Sequence, residues 1–282
     1  MSSARSVLIT GCSSGIGFTA AQHLAGRGWR VFATCRKPQD VERLAGMGLE
    51  SFQLDLDDSA SIAQAVEEAL ARTGGRLDAL VNNGAWGQTG AVEDLSRAVL
   101  RAQFETNVFG WVELTNRVIP AMRRQGHGRI VMVSSVLGLA TLPYRGAYVA
   151  SKFALEGISD TLRLELKPAG IHVSLVEPGP IATRFRENAL QHFRRNIDIE
   201  ASAHRAAYRA QLARLEKEGS AAPFTLPPAA VADRIVHALE NPRPKARYYV
   251  TVPTHLIAYA RRLLTTRGMD RLLELISGGG SR

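Results

Sequence analysis

The start of the chain constrains it most. An apolar run, Val7-Leu8-Ile9, breaks into Thr10-Gly11-Cys12-Ser13-Ser14-Gly15-Ile16-Gly17, and apolar residues then recur at Ile16, Ala20 and Leu24. That i, i+4 recurrence is one face of a helix, so the chain opens as strand, glycine turn, helix. The alternation continues: strand-like runs lie at 30–34, 51–54, 77–82, 129–134, 172–176 and 247–252, with helical patterns at 59–73, 96–123 and 146–167. Strands apolar on both faces and separated by helices predict a parallel sheet covered on both sides. Right-handed crossovers make this an α/β doubly wound sheet of about seven strands in a single domain, with ligands at the carboxyl ends of its strands.

Composition excludes other classes. Of 282 residues, 45% are hydrophobic and 22% charged, as in ordinary globular chains, and this length buries a sizeable core without disulfides or metals. The longest charge-free runs, 130–144 and 248–260, are too short for a spanning helix, which needs roughly 18 apolar residues or more. The first residues carry no signal-peptide pattern. Two cysteines, Cys12 and Cys35, show no metal-ligand spacing, so no metal site and a reducing, cytoplasmic setting are expected. Of the net charge of +9, residues 243–282 contribute +6, from eight Arg/Lys against two Asp/Glu. No stacking platform or binding motif accompanies that charge, so no nucleic-acid partner is expected. A polar, Arg- and Ala-rich stretch at 184–228 reads as an insertion within a catalytic domain of residues 1–252, and 253–282 as a basic, amphipathic helical extension.

Glycines at the first turn let backbone approach a pyrophosphate, while the following helix N-terminus offers free N–H groups. A second motif adds chemistry. Ser134-Ser135 closes the fifth strand, and thirteen residues beyond Ser135 comes Tyr148-Val-Ala-Ser-Lys152. Tyr148 and Lys152 share a helix face, and an ammonium beside a phenol lowers the phenol pKa toward general acid/base use. Ser135, at a strand's carboxyl end, can polarise a carbonyl oxygen.

These motifs, in this order, resemble the short-chain dehydrogenase/reductase family over residues 5–252. Its TGxxxGIG stands at Thr10–Gly17, its adenine-holding pair at Asp55-Leu56, and its NNAG at Asn82-Asn83-Gly84-Ala85, with the last two letters exchanged. Asn107 holds the place of the catalytic asparagine, and Pro178-Gly179-Pro180-Ile181-Ala182-Thr183 that of the nicotinamide-embracing stretch. The resemblance implies a Rossmann-type domain in which Tyr148 protonates the carbonyl oxygen, Ser135 orients it, Lys152 lowers the Tyr148 pKa and bonds the nicotinamide ribose, and Asn107 holds a relay water. It places Gly11, Gly15, Ile16, Gly17, Asp55, Leu56, Asn82, Gly84, Pro178, Gly179, Ile181 and Thr183 against the cofactor, together with Tyr148 and Lys152, and the donors of Ser13, Ser14 and Arg36 are expected to join them. It also implies a homodimer or homotetramer.

NAD-preferring enzymes usually carry an acidic residue at the end of strand two. Here that position is Cys35, followed by Arg36-Lys37, whose guanidinium can pair with a 2′-phosphate, so NADP(H) is expected. Trp86, Leu137, Leu139, Leu142, Pro143, Tyr144, Phe185, Leu190 and Phe193 are the expected substrate lining, favouring an aldehyde or ketone with a hydrophobic body. The same motifs are similar to hydroxysteroid and retinol dehydrogenases and to bacterial NADP-dependent aldehyde reductases. The alternatives are a 3-oxoacyl-thioester reductase and a non-catalytic NADP-binding regulator. Residues 255–276 read as one basic, amphipathic helix that packs on the body or contacts an anionic membrane.

Overall fold

A computed structural model describes residues 4–216 and 222–276. Residues 1–3 of the expected catalytic domain, 217–221 of the expected insertion and 277–282 of the C-terminal extension lie outside the described residues.

The strands are β1 (Ser6–Ile9), β2 (Arg30–Cys35), β3 (Glu50–Gln53), β4 (Ala79–Asn82), β5 (Gly128–Val133), β6 (Ile171–Glu177) and β7 (Arg247–Tyr249). They form one seven-stranded, wholly parallel sheet in the order β3-β2-β1-β4-β5-β6-β7. The order reverses between β1 and β4, and there the crevice that receives ligands in such sheets opens. The helices are α1 (Gly15–Ala25), α2 (Pro38–Gly46), α3 (Ser59–Arg72), α4 (Arg97–Phe104), α5 (Gly110–Gln125), α6 (Gly146–Leu166), α7 (Phe185–Asn196), α8 (Arg205–Glu216), α9 (Ala229–Glu240), α10 (Val252–Leu263) and α11 (Thr266–Ile276). On one face α1 packs against α9, and on the other α3 packs against α5, with α6 beside them.

The central strands are apolar on both sides because both sides are covered: Val7, Leu8, Ile9, Ala79, Leu80 and Val81 are all fully buried. This core continues into Leu24 of α1, Trp111 and Leu114 of α5, and Ile235 of α9. A second apolar cluster lies under the insertion. Phe193 of α7 and Tyr208 of α8 are wholly buried there against Leu95, Ala147 and Ile197. A third joins Leu139 and Ala140 to Ile257 and Ala258 of α10 and Leu273 of α11.

Two expected helices are interrupted. The pattern at 96–123 is α4 and α5 joined by a wide π-type turn, Glu105–Phe109, which carries Asn107. The apolar period runs through that turn, so the sequence hides it. The pattern at 255–276 is likewise two helices, because Leu264 is extended (ψ 146°) between them. No helix among the described residues is long and apolar enough to cross a membrane.

Candidate active site

The crevice at the carboxyl ends of β1, β2, β4, β5 and β6 is a cleft of about 630 Å³. Its floor is the first turn. Gly11 has φ +69°, a left-handed conformation, and a Cβ there would lie 2.6 Å from the Gly84 Cα. Thr10 Oγ1 accepts from the Gly84 and Asn83 amides, both at 2.9 Å, which ties the turn to the end of β4. The turn delivers the chain to α1, whose N-cap Ser14 makes no side-chain capping bond. That N-terminus is a ready cradle for a phosphate.

Thirteen of the residues expected against the cofactor line the cleft: Gly11, Ser13, Ser14, Gly15, Ile16, Arg36, Asp55, Leu56, Gly84, Pro178, Gly179, Ile181 and Thr183. Ser135, Tyr148 and Lys152 line its other end. Gly17 sits behind the wall, where a Cβ would meet the Gly11 carbonyl oxygen at 2.4 Å. It packs the helix onto the turn.

Asn82 departs from expectation. Its side chain is fully buried and its Nδ2 donates to Thr115 Oγ1 at 2.9 Å, pointing into the sheet's cover and away from the cleft. Successive residues at a strand end face opposite sides, so the neighbouring Asn83 lines the cleft instead, its Nδ2 donating to the Thr10 and Gly11 carbonyls at 3.0 and 3.2 Å. In the exchanged pair after it, a Cβ on Gly84 would stand 3.3 Å from both the Gly11 amide nitrogen and Leu56 Cδ1, a tight contact.

Lys152 is 1% exposed and its Nζ donates to the Val133 carbonyl at 2.9 Å, 5.6 Å from the Tyr148 ring centroid and 4.5 Å from that of Trp111. Burial pushes the lysine down to about 7, although Glu156 pulls the other way. The expected lowering of the phenol pKa is not what the site displays. Burial pushes Tyr148 up to about 12, partly offset by the Ser135 hydroxyl. Phe185 closes over the phenol with ring centroids 5.3 Å apart, and a lysine shifted to about 7 carries only part of its charge near neutrality.

Asn107 is fully buried behind the cleft. Its Oδ1 accepts from the Trp86 amide at 3.2 Å, and its Nδ2 donates to the Trp86 carbonyl at 2.9 Å and to Ser151 Oγ at 3.2 Å. Ser151 in turn donates to the Tyr148 carbonyl at 2.8 Å, so Asn107 braces the Trp86 loop against the turn of α6 that presents Tyr148.

Of the expected substrate wall, Trp86, Leu137, Leu142 and Phe185 line the cleft. Pro143 lies on the surface, and Leu139, Tyr144, Leu190 and Phe193 belong to the apolar clusters, because α7 and α10 need their own cores. Sequence reading missed His192. It stacks on Trp86 at 3.9 Å and 18°, and burial, with the nearby charges of Arg195 and Arg36, holds its pKa down to about 4. Arg145 was missed as well. It lines the cleft and donates to Thr89 Oγ1 at 2.6 Å. The helical pattern at 184–196 could have suggested His192; nothing local marked Arg145.

Behind the lysine lies a partly buried charge cluster. The Arg247 guanidinium pairs with Glu156, with Glu177 at 2.5 Å and with Asp160 at 2.6 Å. Glu177 is fully buried, and burial beside Glu156 pushes its carboxyl up to about 8. Cys12 and Cys35 are both free and buried, and burial raises both thiols, Cys35 to about 11.

The cleft fits a dinucleotide: glycine floor, uncapped helix N-terminus, the Asp55-Leu56 wall and a buried Tyr–Lys pair. Residues 5–193 match the family described as short chain dehydrogenase. The Escherichia coli (strain K12) protein named "Uncharacterized oxidoreductase YbbO" is 46% identical over 270 residues, covering 96% of this chain and 94% of that one. Human 17-beta-hydroxysteroid dehydrogenase type 1 is 37% identical over 260 residues, 87% of this chain and 77% of that one. A solved short-chain dehydrogenase from Streptomyces avermitilis aligns over 100% of both chains with TM-score 0.79 and 31% identity. A Burkholderia phymatum member in complex with NAD aligns at TM-score 0.76 and 26% identity, over 96% of this chain and 95% of that one. With the match extending through turn, sheet and Tyr–Lys helix alike, the chain belongs to the short-chain dehydrogenase/reductase family of nicotinamide-dependent oxidoreductases.

Proposed function

We propose that this protein is an NADP(H)-dependent reductase, reversible as an alcohol dehydrogenase, acting on aldehydes or ketones with a hydrophobic body. One observation carries the reading. A single cleft holds Ser135, Tyr148 and Lys152 at one end and Arg36 at the other, where β2 ends on a thiol and not a carboxylate. Asp40, an acid that also lines the wall, is paired with Arg43 at 3.3 Å.

Bound nicotinamide would supply hydride to the carbonyl carbon. Tyr148, pushed up to about 12, keeps its proton across the neutral range and can donate it to the carbonyl oxygen as general acid. Ser135 can donate a hydrogen bond to the same oxygen and polarise it. Lys152 would bond the nicotinamide ribose, and as it gains charge it favours the phenolate left by proton transfer. Asn107 holds Trp86 and, through Ser151, the turn bearing Tyr148. Trp86, Leu137, Leu142 and Phe185 favour an apolar substrate body over a sugar or an acid. The likeness to a hydroxysteroid dehydrogenase supports the same class.

The test is NADPH oxidation against aliphatic and aromatic aldehydes, retinal and steroid ketones. Tyr148→Phe is expected to lose about 10²–10⁴-fold in turnover, the usual worth of a positioned general acid. Turnover unaffected by Tyr148→Phe would remove the proposed acid; failure to bind NADPH would remove the cofactor reading.

A further inference from the structure

The C-terminal hairpin of α10 and α11 uses one side of α10 to join the body and leaves the other bare. Inward, Ile257 and Ala258 pack with Leu139, Ala140 and Leu273, and Arg261 reaches in to donate to the Leu139 carbonyl at 2.9 Å while lying over the Phe153 ring. Outward, Val252, Leu256, Tyr259 and Leu263 are 52%, 64%, 56% and 82% exposed. Their spacing is i, i+4, i+7 and i+11, a straight stripe along the solvent side of the helix. Leu264 extends it across the break. Exposed apolar residues are ordinary singly; a continuous stripe of large ones marks an interaction surface.

Charge identifies the partner. Arg262 flanks the stripe, and Arg267 and Arg271 follow on α11, against Asp270 and Glu274; all are exposed. No ion pair engages Arg262, Arg267 or Arg271 among the described residues. A second copy of this face would bring arginines against arginines, an unfavourable pairing. An anionic lipid surface answers both features, taking the apolar stripe into the headgroup–acyl boundary and the arginines onto its phosphates. We propose that the outer face of α10, with the arginines of the hairpin, docks this enzyme peripherally on an anionic phospholipid membrane.

The buried start of the same helix lies beside the cleft. Thr251 and Thr254 at the start of α10 are buried against Gly179, where a Cβ would lie 2.1 and 2.9 Å from their hydroxyls. Membrane contact would therefore hold the nicotinamide side of the crevice close to the lipid. The proposal does not depend on which carbonyl compound the cleft accepts.

The full chain would be sedimented with vesicles of phosphatidylcholine alone and of phosphatidylcholine with phosphatidylglycerol. At low salt we expect at least tenfold tighter binding to the anionic vesicles, weakening as salt is raised. The variant Leu256→Asp/Leu263→Asp, which touches neither cleft nor core, is expected to lose that binding while its melting curve and NADPH binding stay unchanged. No sedimentation at low salt, or equal binding to both vesicle types, would overturn the proposal. So would a double variant that binds vesicles as the parent does. A change in oligomeric state caused by the double variant without lipid would assign the stripe to a second copy and overturn it too.

Discussion

Cys35 ends β2 with a small buried thiol, and the next residue, exposed Arg36, stands on the wall of the cleft. A carboxylate at 35 would accept from a ribose 2′-hydroxyl and repel a 2′-phosphate. Exchanging Cys35→Asp with Arg36→Ala is therefore expected to move the NADPH/NADH ratio of kcat/KM at least tenfold toward NADH, about 1.4 kcal/mol. An unchanged ratio would show that the 2′-phosphate is recognised elsewhere. Glu177 offers a stability test at the same scale. Its carboxyl rises from an ordinary 4.5 to about 8, so between those values the folded protein holds a proton that the unfolded chain has released. Stability from this group is complete below about pH 4.5 and is lost as pH climbs toward 8. Glu177→Gln keeps the shape without the charge, while Glu156 and Asp160 still pair Arg247. The melting temperature of the variant should gain on that of the parent as pH rises from 5 to 8; a gap constant with pH would place the shared proton elsewhere in the cluster. Three carboxylates meeting one arginine from positions 156, 160, 177 and 247 left no local signature.

At the scale of elements, α7 and α8 are held over the cleft by their own small core and by polar ties to the body, Asn196 to Gln88, Ser202 to Asp94 and the Tyr208 phenol among them. Tyr208 is fully buried; its hydroxyl accepts from the Ala91 amide at 2.8 Å and donates to the Asp94 carboxylate. Tyr208→Phe removes both bonds and leaves the Ala91 amide partnerless, a cost of about 1–3 kcal/mol. Because α7 carries Phe185 and His192 onto Tyr148 and Trp86, the loss should appear as a raised carbonyl KM with a smaller change in kcat. Equal loss in both parameters would mean that Tyr208 supports the whole fold and not the lid-like pair of helices. The strands and their parallel order were legible in the sequence because burial on both faces leaves continuous apolar runs such as Val7–Ile9. The π-type turn at Asn107 and the break at Leu264 were not, since the apolar period passes through both. Of the site, the strand–turn–helix at the glycines and the helix face shared by Tyr148 and Lys152 were legible from spacing, and their roles only from the order of motifs that resembles the family. The choice between Asn82 and Asn83 depended on which way a strand end faces. The stacking of His192 on Trp86 depended on how a long insertion folds back.

At the scale of the molecule, the cleft draws its walls from both halves of the sheet, from the Gly11 turn after β1, Arg36 after β2 and Asp55 after β3 to Pro178 after β6. A ligand that fills it contacts segments that separate on unfolding, so its binding energy adds to the stability of the native chain. Saturation to about a hundred times Kd is worth about 2.7 kcal/mol. For a chain of this length that amounts to several degrees of melting temperature. If Arg36 reads the 2′-phosphate, NADP should raise the melting temperature more than NAD at equal concentration. Arg36→Ala should collapse the two shifts onto each other without lowering the melting temperature of the ligand-free protein, since Arg36 is exposed and pairs with no carboxylate among the described residues. Equal shifts in the parent protein would assign the 2′ end no role in binding. Equal loss of both shifts in Arg36→Ala would mean that the residue shapes the adenosine end as a whole and does not discriminate between the cofactors.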